Sequence, residues 1–270
     1  MTTPDWGPYK IRTSRRKSLK IRLVVRESGA TLPGFAGVRA RPGATWMQKQ
    51  DYSAGPRPTR SMAKQDQIGV LFVRSGSTEW DDAGRLQGET DLPLSESGRG
   101  VFAAGLDAVL EQSDPFPIGV ALHAPDEASA ESAAMLAMRA GVRAKRIDGL
   151  AEIDLGLWEG LRCEELEERY PTAYGQWVED PTSVTPPDGP TLVEVEARLL
   201  ATLIKALDRP GRQGVAVVLR PLSYALMLCW LDGEAPRHLA QMSEESPACV
   251  WATVSRERLR AALEALRANA

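Results

Sequence analysis

Histidine and cysteine are both scarce in this chain of 270 residues, with two of the first and three of the second. Cys163, Cys229 and Cys249 lie far apart, are odd in number and form no CxxC pair, so neither a disulfide framework nor a zinc cluster is expected. Long apolar runs are missing as well, and the first twenty residues are polar and basic. That pattern argues against a transmembrane helix and a secretory signal and makes the cytoplasm the expected compartment. HExxH, Walker A, strand-borne GxGxxG and Ser-centred elbow patterns do not occur. No metal or cofactor is therefore expected. What remains, 43% hydrophobic and 26% charged residues, is the composition of a globular protein able to bury a core.

The net charge of −3 conceals a division along the chain. Residues 1–65 hold 14 Lys and Arg against Asp5, Glu27 and Asp51, a balance of +11, while the other 205 residues hold 19 bases and 33 acids, or −14. A basic extension precedes an acidic body, and opposite fields attract, so the extension is expected to dock on a protein partner or on the body's own acidic surface, the helix around Glu164, Glu165, Glu167 and Glu168 being one candidate. Clusters such as Arg15, Arg16 and Lys17 also raise nucleic-acid association as an alternative, although few aromatics accompany them. Within the extension, residues 9–25 read as two β-prone stretches of a small hairpin, and residues 28–62, rich in Gly, Pro, Ser and Thr, as a tether. The boundary falls near Asp66, giving a basic extension at 1–65 and a domain at 66–270. The oligomeric state is open, a homodimer included.

Past the boundary, apolar runs at 68–73, 118–122, 215–219 and 249–254 alternate with helical patterns. The first three lack clean alternation, as strands covered on both faces do. Ser95 or Ser97 is placed to cap a helix. Further helices are expected over 127–140, 164–170, 192–207, 222–231 and 256–268. Such alternation predicts an α/β three-layer sandwich with a mostly parallel central sheet flanked by helices.

In folds of this kind, chemistry gathers where strand C-termini open into loops. The first strand ends in Arg74-Ser75-Gly76-Ser77-Thr78-Glu79-Trp80-Asp81, followed by Gly84-Arg85-Leu86-Gln87-Gly88 and Pro93-Leu94-Ser95-Glu96-Ser97-Gly98. Here the sequence resembles the histidine phosphatase superfamily, in its phosphoglycerate mutase-like branch. The family's signature runs Arg-His-Gly-Glu-Thr-x-Trp-Asn, Gly-Arg-x-Gln-Gly and Pro-Leu-Ser-x-x-Gly. Leu150-Ala151-Glu152 through Gly156, Trp158, Glu159 and Gly160 is similar to a later family segment, and the likeness covers roughly residues 66–255.

The resemblance implies a phosphoglycerate mutase-like fold and a two-step phosphoryl transfer. A histidine attacks phosphorus, a glutamate protonates the leaving oxygen, and two arginines with a second histidine hold the phosphate. Carried onto this chain, the motif arginine is Arg74 and the acid is Glu152. Ser75 falls at the nucleophile position, Ala128 at the second arginine, Arg220 at the second histidine, and Asp81 at the motif asparagine. A serine hydroxyl needs an adjacent base, and none is evident. The expectation is a catalytically degenerate member, a pseudophosphatase, binding a phosphorylated or other anionic ligand through Arg74 and Arg220, a protein partner, or both. Glu152 is expected to pair with one of those arginines. The alternative is a divergent phosphomonoesterase using Ser75 or His123, the latter at a strand end that should face the same cleft. The plainer view of His123 is a ring bonded to backbone, and of His238 a surface residue. Trp158 and Trp177 read as packing.

Overall fold

The computed structural model describes residues 67–111, 117–207 and 214–269. The hairpin, the tether and the boundary near Asp66 fall outside them. In chain order the elements are β1 (Gln67–Arg74), α1 (Glu79–Asp82), α2 (Glu96–Glu111), β2 (Ile118–His123), α3 (Glu127–Ala140), β3 (Arg143–Arg146), α4 (Cys163–Arg169), α5 (Pro171–Glu179), α6 (Leu192–Leu207), β4 (Gly214–Leu219), α7 (Pro221–Asp232), α8 (Leu239–Glu245), β5 (Cys249–Ser255) and α9 (Arg256–Asn269). The strands form one sheet in the order β3-β2-β4-β1-β5, parallel except where β5 runs antiparallel to β1. This is the expected α/β sandwich.

The central strands explain their own patterning. All six residues of β4 and the middle of β1 are buried, because helices cover both faces. On one face Leu71, Val73, Ala216 and Val218 pack with Leu106 of α2 and Leu136 of α3. On the other, Val70, Phe72, Val217 and Leu219 pack with Leu199 and Leu203 of α6, Tyr224 and Met227 of α7 and Leu259 of α9. Trp158 and Trp177 meet edge to face in this second layer, 5.6 Å apart, as packing residues. One strand, β3, escapes sequence inspection: its four residues Arg-Ala-Lys-Arg are all exposed and carry no alternation. It lies at the sheet edge, where charge discourages pairing with another chain.

Caps set the lengths of the loops that build the strand ends. Ser95 is the residue that caps α2, accepting the Gly98 N–H at 2.9 Å, and Asp126 caps α3 through Ser129 N–H at 2.8 Å. Gly98 also lets α2 press against the segment after β1, since a Cβ there would lie 2.1 Å from the Ser77 carbonyl oxygen. That contact is backbone, so it cannot rotate away. Gly98→Ala is therefore expected to lower stability in urea unfolding by about 1–3 kcal/mol, the range for forced overpacking, whereas Gly100→Ala, with nothing within 4 Å of the added carbon, should leave stability unchanged or raised.

Candidate functional site

Three strand ends meet at one edge of the sheet. Ser75 follows β1 and donates its N–H to the Leu219 carbonyl at 2.8 Å, and Ala124 follows β2 and donates to the Val218 carbonyl at 3.3 Å. Gly76 N–H reaches across to Ser132 Oγ of α3 at 3.0 Å. Ser75, His123 and Arg220 are thereby brought to the same end of the sheet, as the linear motifs implied.

Arg220 occupies the centre. Its side chain is 1% exposed and it stands at the N-cap of α7, just before Pro221. One guanidinium nitrogen donates to Ser75 Oγ at 3.1 Å and to the Gly76 carbonyl at 3.2 Å. The other reaches Asp81 Oδ1 and Oδ2 at 3.0 and 2.7 Å and Gln87 Oε1 at 2.7 Å. Its Nε–H is buried without a partner. Asp81 is oriented by its own helix start, where it completes a capping box by accepting the Thr78 N–H at 2.8 Å. Thr78 Oγ1 in turn meets Gln87 Oε1 at 2.6 Å. Thr78 and Gln87 lie inside the quoted motifs, yet nothing in their identity announces that they serve Arg220.

Glu152 is 5% exposed and corrects an expectation. Its partners are backbone, with no ion pair to Arg74 or Arg220: Oε1 accepts from Ser223 N–H at 2.6 Å and Ile153 N–H at 2.8 Å, and Oε2 from Leu222 N–H at 2.8 Å. Two of these donors are the first free N–H groups of α7, where backbone dipoles favour an anion. Burial pushes the Glu152 carboxyl above its ordinary range, while the Ser223 and Ile153 hydrogen bonds, the charge of Arg220 and the Leu222 hydrogen bond pull it back. Arg198 of α6 ties the Glu152 carbonyl at 2.8 Å.

Arg74 closes β1, and its guanidinium donates to the Ser243 carbonyl of α8. Burial disfavours its charge, opposed by Tyr224, Glu244 and Asp81. His123 donates Nδ1–H to the Ala124 carbonyl at 2.7 Å and is 8% exposed, which is the backbone-bonded arrangement. Ala128 is wholly buried, and His238 is a surface residue starting α8. Beside Glu152 opens a cleft of about 170 Å³ lined by Glu89, Asp91, Asp126 and a single arginine, Arg146. Burial raises the Glu89 carboxyl, against the pull of Arg198. Among the described residues, no cluster of His, Cys, Asp or Glu suits a metal ion, and no helix is long and apolar enough to cross a membrane.

A family model described as the histidine phosphatase superfamily (branch 1) matches residues 70–268. Over 166 residues the chain is 29% identical to phosphoserine phosphatase 1 of Hydrogenobacter thermophilus, covering 62% of this chain and 77% of that protein. It is 30% identical over 171 residues to glucosyl-3-phosphoglycerate phosphatase of Mycobacterium tuberculosis, covering 58% and 74%. A solved structure of the mycobacterial glucosyl-3-phosphoglycerate phosphatase, in complex with VO3, superposes with a TM-score of 0.56 at 24% identity, over 70% of this chain and 98% of the other, which supports the fold.

The two halves of the Arg220–Asp81 pair differ in access to water, with side-chain exposures of 1% and 22%. Removing one partner of a buried pair leaves the other charge uncompensated, which costs about 3–5 kcal/mol. Asp81→Asn strands the inaccessible guanidinium and should approach that loss in equilibrium unfolding; Arg220→Met leaves a carboxylate that water can reach and should cost less. The reverse order would show that the pair does not hold Arg220.

Proposed function

The chain belongs to the histidine phosphatase superfamily, branch 1, and within it we propose that it is a catalytically degenerate member that acts by binding rather than by turnover. The observation that carries this is Arg220, buried at the strand ends and held by Asp81, Gln87 and Ser75 where a substrate phosphate would need room and charge. Ser75 supports it further. Its hydroxyl accepts from a guanidinium, no base adjoins it among the hydrogen bonds of the site, and a serine without a base is a poor nucleophile. The second anion-binding device, the N-terminus of α7, already holds the Glu152 carboxylate. With both devices filled from within, a protein partner suits the site better than a phosphorylated small molecule.

A divergent phosphomonoesterase is the alternative, and three observations favour it. The named relatives are phosphatases. His123 Nδ1–H is spent on a carbonyl, which leaves Nε2 as the ring nitrogen not engaged in that bond and the one through which an imidazole would attack phosphorus. Burial also raises the proton affinity of Glu152, as a proton donor requires. Hydrolysis of an aryl phosphate from pH 5 to 8 decides between the two. The wild type is expected to be inert beyond background. Turnover that survives purification and falls at least about a hundredfold in His123→Ala and in Glu152→Gln, the usual scale of a general acid or nucleophile, would establish the enzyme instead.

The basic segment 1–65, at +11 against a body at −14, is proposed to dock on that acidic body. Carbodiimide cross-linking of the full chain should join Lys10, Lys17 or Lys20 to carboxylates of α4 or of the cleft, in yields that fall as salt rises from 20 to 500 mM across the shortening Debye length. Salt-independent yields, or cross-links confined to other copies, would remove the intramolecular arrangement. A nucleic acid that binds with steep salt dependence would redirect it.

A further inference from the structure

We propose that Asp81 is a built-in substitute for a bound oxyanion: its carboxylate occupies the face of Arg220 that would otherwise grip a small oxyanion, and neutralising it uncovers an oxyanion site. This rests on the view above that the centre is filled by the protein's own groups, and it assigns one residue the task of keeping anions out.

Arg220 offers five N–H donors in a fixed plane. Its acceptors are Ser75 Oγ, the Gly76 carbonyl, Gln87 Oε1 and the two oxygens of Asp81. Among these only Asp81 carries charge, so it is the counter-charge in direct contact with the guanidinium, while Glu152 acts on Arg220 from beyond hydrogen-bond reach. Both carboxylate oxygens rest on one guanidinium nitrogen, the position an oxygen of phosphate or sulfate would take. Asp81 is also the partner with access to water, at 22% side-chain exposure, so its side of Arg220 is the side from which an anion would enter. A further donor stands ready: Arg220 Nε–H, buried and without a partner, lacks the acceptor that an additional anion oxygen would supply.

Asparagine at position 81 keeps an oxygen for the Thr78 N–H but sets an amide N–H₂ and no charge before the guanidinium. Arg220 is then a buried cation in search of an anion. Any anion that binds the folded form alone raises the melting temperature with its concentration. No such gain is available while Asp81 holds the place.

The experiment is thermal melting of the full chain in 0–20 mM inorganic phosphate at ionic strength matched with chloride, for wild type, Asp81→Asn, Asp81→Ser and Asp81→Asn with Arg220→Met. The wild type is expected to hold its midpoint within about 1 °C. Asp81→Asn should melt several degrees lower without phosphate and recover saturably with it, by roughly 3–5 °C for each tenfold gain in folding equilibrium in a domain of this size, while the double variant ignores phosphate. Asp81→Ser, which also empties space, should behave as Asp81→Asn does. Equal phosphate stabilisation of the wild type overturns the inference, and so do neutral variants that are folded but indifferent to phosphate, or that stay unfolded even in 20 mM phosphate. Aryl phosphate hydrolysis by the same samples separates the two levels. An inert wild type whose neutral variants ignore phosphate sinks the role of Asp81 and leaves the non-catalytic assignment standing. Turnover by the wild type sinks that assignment whichever way the melting curves fall.

Discussion

A guanidinium that is 1% exposed at the end of a central strand has to find its acceptors and its counter-charge inside the protein, because water cannot supply them. Arg220 draws them from separate stretches of chain: Ser75 and Gly76 after β1, Asp81 in α1, and Gln87 beyond it. Each stretch is held in turn by local chemistry. The Thr78 and Asp81 capping box orients the carboxylate, Gly98 allows α2 to close on Ser77, and Ser132 anchors Gly76. The loop after β1 is thus shaped around one buried charge, and the site's polarity follows from how that charge is satisfied.

The same logic governs the other half of the site. The start of α7 carries N–H groups that need an acceptor, and Glu152 supplies it from the preceding segment, with Arg198 securing the carbonyl behind it. A helix start and an arginine are the two commonest ways in which proteins hold phosphate. Here Arg220 contacts the Asp81 carboxylate and the start of α7 donates to the Glu152 carboxyl, and the adjoining cleft adds Glu89, Asp91 and Asp126 beside Arg146. Membership of a phosphatase superfamily establishes the scaffold, while the activity has to be argued from the groups that stand on it.

Much of the scaffold was legible in one dimension. β1, β2, β4 and β5 and the helices α2, α3, α6, α7 and α9 follow from apolar runs and 3.6-residue periodicity, which burial enforces. β3 was not legible, because an exposed edge strand of Arg-Ala-Lys-Arg buries nothing and leaves no hydrophobic pattern to read. The short helices α1, α5 and α8 leave equally faint traces, since four to nine residues span too few turns for a period to show.

The candidate site divides along the same line. The sequence by itself determined which residue types stand at the strand ends, Arg74, Ser75, His123, Glu152 and Arg220, since strand C-termini and loop motifs are ordered along the chain. Tertiary structure alone decided where their polar groups point: Arg74 to a carbonyl 169 positions away, Glu152 to the N–H groups of α7, Arg220 to Asp81. The physical reason is that a long charged side chain goes wherever burial leaves it acceptors. Those acceptors belong to backbone and side chains that only folding brings within about 3 Å.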